Sequence, residues 1–116
     1  MDSLPEVGGE GVGIKPIELL LIALAGCTAM DVISIMKKKR QDVREFSIEV
    51  EGTQREDFPK SFREIKLVYR IKGENIDEEA LKRAIELSEE KYCSVRMTIL
   101  GMPETASITY SYEIES

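Results

Sequence analysis

Hydrophobic residues are densest between Pro16 and Arg40, and this segment predicts one helix of about seven turns. Pro16 suits the first turn of a helix, where its missing N–H needs no partner, and the basic run from Lys37 to Arg40 suits the last. The 12 positions from Leu19 to Met30 contain no charged residue, so apolar side chains surround the helix. We therefore expect a helix buried on all sides. A membrane span would need about 20 apolar residues.

Three later segments alternate between apolar and polar residues, the period-two pattern of strands with one exposed face. Their apolar positions are Phe46, Ile48 and Val50; Ile65, Leu67, Tyr69 and Ile71; and Ala106, Ile108, Tyr110, Tyr112 and Ile114. The charged loop Gly52–Phe62 joins the first two strands, which are predicted to pair antiparallel. The polar face is acidic on the first strand and basic on the second, so the two faces should attract each other. We predict an antiparallel sheet.

A second helix is predicted to begin at about Asp77, which suits the N-cap position. Its core-facing stripe consists of Leu81, Ala84, Ile85, Ser88 and Tyr92. Ser94–Leu100 fits either a strand or a short helix, and the helix is favoured because Ser94 can cap it and Gly101 can stop it. Cys93 would then lie at a helix N-terminus, where the dipole favours a thiolate.

Three strands with one apolar face each cannot cover a helix that is apolar all round. A second copy of the chain is the simplest additional cover. The predicted fold is therefore α+β, with a long central helix and a second helix packed on the sheet, in an intertwined homodimer.

Composition excludes several functions. The 116 residues are enough for one domain, and the net charge of −6 opposes binding to nucleic acid. Histidine is absent, which excludes Ser-His and Cys-His nucleophile pairs and any histidine-ligated metal site within the chain. Gly8–Gly13 is not a phosphate-binding loop, because Ile14 follows where that pattern needs lysine. We predict a flexible arm at residues 1–15, a domain at 16–116 and, without an apolar leader, a cytoplasmic location.

The two cysteines, Cys27 and Cys93, are the main candidates for chemistry. A buried free cysteine is often only a small hydrophobe. Gly26 lies in mid-helix at a cost of about 1 kcal/mol relative to alanine, which suggests a close approach to the backbone there. Asp31 and Ser34 follow Cys27 at one and two helical turns, so polar atoms collect near it. Two cysteines are too few for a four-sulfur zinc site in one chain, and a structural disulfide is unusual in the cytosol.

The segment PIELLLIALAGCTAMDVISIM at 16–36, with EKYCSV at 90–95, resembles the OsmC/Ohr family of thiol-dependent peroxidases. The resemblance covers the chain after the arm. It implies a swapped α+β homodimer in which Cys27 attacks an organic hydroperoxide and becomes a sulfenic acid. Cys93 would then form a disulfide with Cys27, and a dithiol such as a lipoyl group would reduce it. No cofactor or metal is implied, and the partners are the hydroperoxide, the reductant and a second copy.

The sequence departs from active family members at two points. They carry a glutamate directly after the first proline of the helix, whereas here Ile17 takes that position and the acid is Glu18, turned by about 100°. They also supply an arginine from strands before the helix, and fewer residues precede Pro16 here than those strands need. We predict Glu18 as a third catalytic residue beside the two cysteines, with Arg96 or Lys38 as substitutes for the arginine.

The sequence is also compatible with two other functions. The chain fits a non-catalytic OsmC-like homodimer that binds an apolar small molecule, and it fits a structural dimer whose cysteines fill the core. Consumption of peroxide separates catalysis from both.

Overall fold

A computed structural model describes residues 15–101 and 107–115 of the chain. The elements follow in the order α1 (Pro16–Lys38), β1 (Asp42–Gln54), β2 (Phe62–Glu74), α2 (Glu78–Leu87), a π-helical turn (Ser88–Tyr92), α3 (Ser94–Leu100) and β3 (Ser107–Glu115). The fold is α+β, as predicted. The predicted arm, apart from Lys15, and the start of the third strand at Ala106 lie outside the described residues.

Helix α1 begins and ends close to the predicted positions. Pro16 occupies its first turn, and the Glu18 side chain accepts a hydrogen bond from the Lys15 backbone N–H at 2.9 Å. At the other end Lys37 and Lys38 lie in the last turn, where cations favour the negative pole of the helix dipole. Arg40, which was included in the predicted helix, has a φ of 57° and lies outside it.

The sheet has the strand order β1-β2-β3 and is mixed. The predicted antiparallel pairing of β1 with β2 is confirmed, with Val50 opposite Leu67. Strand β3, however, is parallel to β2, with Tyr110 opposite Leu67, so the prediction of an entirely antiparallel sheet is wrong. Between β2 and β3 the chain passes through three helical elements and returns to the end of the sheet where β2 starts, which is the connection that parallel strands require.

The predicted attraction between the polar faces of the strands is confirmed at the centre of the sheet. Arg70 of β2 lies between Glu49 of β1 and Glu113 of β3, and each ion pair has an N···O distance of 2.6 Å. All three side chains are exposed, so we expect each pair to contribute no more than about 1 kcal/mol.

The core lies between the apolar face of the sheet and the helices. Strand β2 contributes Ile65, Leu67, Tyr69 and Ile71, α1 contributes Leu24, Val32 and Met36, and α2 contributes Leu81, Ala84 and Ile85. The Asp77 side chain caps α2 as predicted, by accepting from the Glu79 N–H at 3.1 Å. Tyr92 departs from the predicted core stripe and is 52% exposed. The π-helical turn interrupts the 3.6-residue periodicity on which that stripe depended.

Among the described residues helix α1 is covered on one side only, and the predicted burial on all sides would need the second copy that the sequence predicts. It contacts β1, α2, the π-helical turn and α3. Its opposite side exposes Leu19 (41%), Ile22 (50%), Met30 (76%) and Ile33 (37%). We call these four residues, together with Gly26, the open face of α1.

By length and composition α1 is also apolar enough to cross a membrane, with a mean hydropathy of 2.2 over its best 18 residues, of which 28% are buried. Core helices of water-soluble proteins meet the same criterion. The inner side of α1 packs on the chain's own elements, with Leu24, Val32 and Met36 fully buried, as in a core helix.

We predict that Gly73→Ala destabilises the fold by about 1–3 kcal/mol. A Cβ at this position would lie 1.9 Å from the backbone carbonyl oxygen of Asp42 on the neighbouring strand, and backbone cannot move aside cheaply. Urea unfolding at fixed protein concentration measures the change. Ser47→Ala, an exposed substitution on β1, is the control and should stay within about 0.5 kcal/mol of wild type. An unchanged unfolding midpoint for Gly73→Ala would contradict the close approach.

Candidate functional site

Cys27 lies in the middle of α1 and packs at the edge of the core. Its side chain is half-buried, whereas the next residue, Thr28, is fully buried. Gly26, directly before it, belongs to the open face, and a Cβ built there meets no atom within 4 Å in the described chain. Cys27 is thus at the boundary between the inner side of α1 and its open face.

Cys93 is placed by the π-helical turn that follows α2. Its backbone N–H donates to the Ser88 carbonyl at 2.8 Å, a bond to the fifth preceding residue that defines a π turn. Helix α3 then begins at Ser94 and ends before Gly101, which confirms the predicted short helix. The cap is Cys93 rather than Ser94, because the Cys93 sulfur accepts from the Arg96 backbone N–H at 3.3 Å.

The fold brings the two cysteines together although 66 positions separate them in sequence. The Sγ atoms of Cys27 and Cys93 and a carboxylate oxygen of Asp31 all lie within 4.8 Å of one another. We call these three residues the thiol cluster. Both thiols are free. A disulfide would bring the two sulfurs from within 4.8 Å to about 2.05 Å of each other.

Asp31 is held in the cluster by a residue of the π-helical turn. The fully buried Ser88 hydroxyl donates to the Asp31 Oδ2 atom at 2.8 Å, which fixes the carboxylate between the two helices. The expectation that polar atoms collect near Cys27 is therefore confirmed for Asp31. Ser34, the other residue expected there, is exposed and lines an adjacent groove.

The Cys93 thiol is held in its protonated form. Burial raises the pKa of Cys93 to about 11, with further increases from hydrogen bonding to Cys27 and from the negative charge of Asp31. The Arg96 N–H lowers this pKa but does not offset the burial. The prediction that the helix N-terminus favours a thiolate at Cys93 is therefore wrong. Helix α3 has only seven residues, and its dipole acts on a sulfur that is removed from water.

A buried polar layer lies beneath the cluster. The Tyr69 hydroxyl is fully buried, and burial raises its pKa to about 12. The neighbouring Thr28 hydroxyl is already committed to the carbonyls of Leu24 and Ala25, at 3.1 and 3.2 Å. No described residue gives Tyr69 a hydrogen bond of good geometry. Strand alternation placed Tyr69 in the core but gave no sign that its hydroxyl lies near Cys93.

The remaining predicted site residues lie apart from the thiol cluster. Glu18 caps the N-terminus of α1, nine residues before Cys27 and so about 13 Å away along the helix. Its proposed catalytic role stays a prediction. The Arg96 guanidinium donates to the Glu89 carbonyl at 3.1 Å and lowers the pKa of the Glu89 carboxyl, which burial raises. Only the backbone of Arg96 bonds to Cys93.

A groove of about 370 Å³ opens beside Asp31 between α1 and the end of α2. Its walls combine apolar side chains, Ile35, Leu87 and Tyr92, with the cations Lys38 and Lys39. Lys38, the second predicted substitute for the family's arginine, therefore lines a groove next to the thiol cluster.

Residues 8–107 match a family model described as OsmC-like protein. Protein YhfA of Escherichia coli strain K12 is 40% identical over 100 residues, which cover 86% of this chain and 72% of that protein.

Solved structures have the same fold. A hypothetical protein from Aquifex aeolicus VF5 is 39% identical with a TM-score of 0.78, over 93% of this chain and 80% of that chain. The organic hydroperoxide resistance protein OhrB of Bacillus subtilis is 16% identical with a TM-score of 0.63, over 88% of this chain and 72% of that chain. At that identity the likeness to OhrB shows a shared fold.

We predict that alkylation of Cys93 by iodoacetamide depends steeply on pH. With a pKa raised to about 11, the reactive thiolate is scarce at pH 7.5 and should increase about tenfold per pH unit up to pH 9.5. Initial rates are followed by mass spectrometry of the Cys93 peptide. The urea-unfolded protein is the control and should level off near pH 9, because an exposed cysteine has a pKa of about 8.5. A plateau by about pH 8.5 in the folded protein would contradict the raised pKa.

Proposed function

This chain belongs to the OsmC-like protein family, and from that premise we propose that it is a thiol-dependent peroxidase that reduces organic hydroperoxides. The observation that carries the proposal is the thiol cluster, in which two free sulfurs lie within 4.8 Å of each other. The name of OhrB, an organic hydroperoxide resistance protein with the same fold, supports the choice of substrate class.

Cys27 is the proposed nucleophile. It is the more accessible of the two thiols, because Cys93 is only 4% exposed. Burial raises the pKa of Cys93, so the buried thiol keeps its proton and the half-buried Cys27 is assigned the attacking role. The Cys27 thiolate attacks the outer oxygen of the hydroperoxide, the O–O bond breaks, and an alkoxide leaves. Cys27 becomes a sulfenic acid, and the alkoxide takes up a proton to give an alcohol.

Cys93 is the proposed resolving residue. Its sulfur attacks the sulfenic acid of Cys27, a disulfide forms, and the hydroxyl leaves as water after taking the thiol proton. The raised pKa of Cys93 slows this step, because the thiol proton must pass to the departing hydroxyl as the sulfur attacks. An external dithiol then reduces the disulfide, returns both thiols and becomes a disulfide itself.

The proposed active form is a homodimer joined through the open face of α1. Four large apolar residues on that face are exposed in the part of the chain that the structure describes, and Gly26 between them lets another backbone approach closely. Two α1 helices crossing at Gly26 would bury this surface. Cys27 would then lie next to the interface, where an apolar hydroperoxide can bind out of water.

We predict that Cys27→Ser lowers the rate of dithiol-dependent hydroperoxide reduction by at least about a thousandfold, because serine is not nucleophilic without a base. Cys93→Ser should react once and stop as the Cys27 sulfenic acid, which a dimedone-type reagent traps. Cumene hydroperoxide consumption with dihydrolipoamide as reductant provides the assay.

Ser94→Ala is the matched control, since this exposed neighbour of Cys93 contributes no side chain to the thiol cluster and should leave the rate unchanged. If wild type consumes hydroperoxide no faster than Cys27→Ser with any dithiol, the peroxidase proposal fails. The apolar open face would then favour the alternative function, a dimer that binds an apolar small molecule.

We predict that Met30→Glu prevents self-association, because it places a charge at the most exposed apolar position of the open face, 76% accessible in the single chain. An unpaired charge buried in an interface costs several kcal/mol, so the dissociation constant should rise at least about a hundredfold. Sedimentation equilibrium measures it. Thr109→Glu, which adds the same charge to the outer face of the sheet, should leave the dimer intact. A monomeric wild type, or a Met30→Glu variant that dimerises normally, would contradict the proposal.

A further inference from the structure

The thiol cluster also has the composition of a metal site. It presents two cysteine sulfurs and one carboxylate oxygen from two different helical segments, all within 4.8 Å of one another. We propose that the reduced cluster of Cys27, Asp31 and Cys93 binds one Zn²⁺ ion. The proposal concerns the same residues as the proposed peroxidase reaction but does not require that reaction to occur.

The distances in the cluster fit a zinc ion after a small contraction. In a tetrahedral site Zn–S is about 2.3 Å and Zn–O about 2.0–2.2 Å, so the sulfurs lie about 3.8 Å apart and each lies about 3.5 Å from the oxygen. The present limit of 4.8 Å exceeds the sulfur–sulfur distance by about 1.0 Å and the sulfur–oxygen distances by about 1.3 Å. Rotations of the three ligand side chains are the expected source of this contraction.

The chemistry of the donors favours zinc over harder cations. Thiolates select soft or borderline metals, whereas calcium and magnesium prefer sites made only of oxygen. Sequence composition had excluded histidine ligands and a four-cysteine site in one chain, but Asp31 adds a third donor to the two sulfurs. Three protein ligands leave the fourth tetrahedral position to water or to an incoming ligand.

Asp31 is oriented for this role by the Ser88 hydroxyl. Ser88 donates to Oδ2 at 2.8 Å, so the other carboxylate oxygen remains available to a metal. Such outer hydrogen bonds commonly orient metal-ligating carboxylates. The three donors together carry up to three negative charges when deprotonated, and burial makes that arrangement costly. A Zn²⁺ ion offsets two of these charges, and its binding releases the two thiol protons.

Zinc and the peroxide would compete for the same sulfurs. A zinc-bound cluster has no free thiolate at Cys27, so the ion inhibits turnover and protects the reduced pair. Oxidation by a hydroperoxide converts the two thiolates to a disulfide, takes up two protons, and yields an alcohol, water and free Zn²⁺. A disulfide has no thiolate to offer, so the oxidised protein loses the site.

Zinc binding is tested on the reduced full chain by competition with a chromophoric chelator, and Co²⁺ is used as a spectroscopic substitute. We expect one Zn²⁺ per chain, and thiolate-to-Co²⁺ charge-transfer absorption that disappears in Cys27→Ser and in Cys93→Ser. Asp31→Asn keeps an oxygen to accept the Ser88 hydrogen bond and should weaken zinc binding about tenfold or more. Glu90→Gln, an exposed change on the π-helical turn, is the matched control and should bind as wild type does.

A comparison of reduced and disulfide-bonded wild type needs no substitution, and we expect binding only in the reduced form. Absence of binding to reduced wild type, equal affinity in Asp31→Asn, or equal binding by the oxidised protein would overturn the proposal. Zinc binding without hydroperoxide turnover would leave the metal site standing and remove the proposed function. Turnover without zinc binding would remove the metal site and leave the proposed function standing.

Discussion

The arrangement of the molecule depends on a helix that is apolar on all sides, of which the other described elements cover only one. The three strands and α2 together bury Leu24, Val32 and Met36 on the inner side of α1. The open face is exposed among the described residues, and a Cβ built at Gly26 within it would meet no atom of another described element within 4 Å. The hydrophobic effect therefore acts on both sides of α1. It buries the inner side when the chain folds and, by our proposal, buries the open face when two chains associate. Cys27 lies where the two sides meet.

The π-helical turn decides what faces α1 from the opposite helix. A regular helix would have kept Tyr92 on the core-facing stripe of α2. Ser88, the last residue on the regular stripe, reaches Asp31, and beyond it the wider turn leaves Tyr92 exposed and brings Cys93 within 4.8 Å of Cys27. The change of helical register thus moves Tyr92 off the stripe and adds Cys93 to the cluster, in keeping with the frequent occurrence of π turns at functional sites.

Burial controls the chemistry of the cluster more strongly than the nearby helix end does. A helix N-terminus lowers a thiol pKa when the sulfur is partly in water, but the Cys93 sulfur is buried and close to a carboxylate. Removal from water disfavours a negative charge on the Cys93 sulfur, and this raises its pKa. The same environment makes the cluster suited either to a shared proton or to a cation that neutralises its charge.

The sequence by itself determined the elements and the residues that matter chemically. The uncharged run after Pro16, the alternation in the three strands, and the Asp77 cap are local patterns, so α1, the strands and the start of α2 could be read directly. The motif around Cys27 and Cys93 indicated the family. Tertiary structure alone decided the direction of β3, the side of α1 that stays open, and the approach of Cys27, Asp31 and Cys93. It also decided the position of the Tyr69 hydroxyl and the protonation of Cys93. These properties depend on contacts between residues far apart in the chain and on the water that those contacts exclude, which no local pattern records.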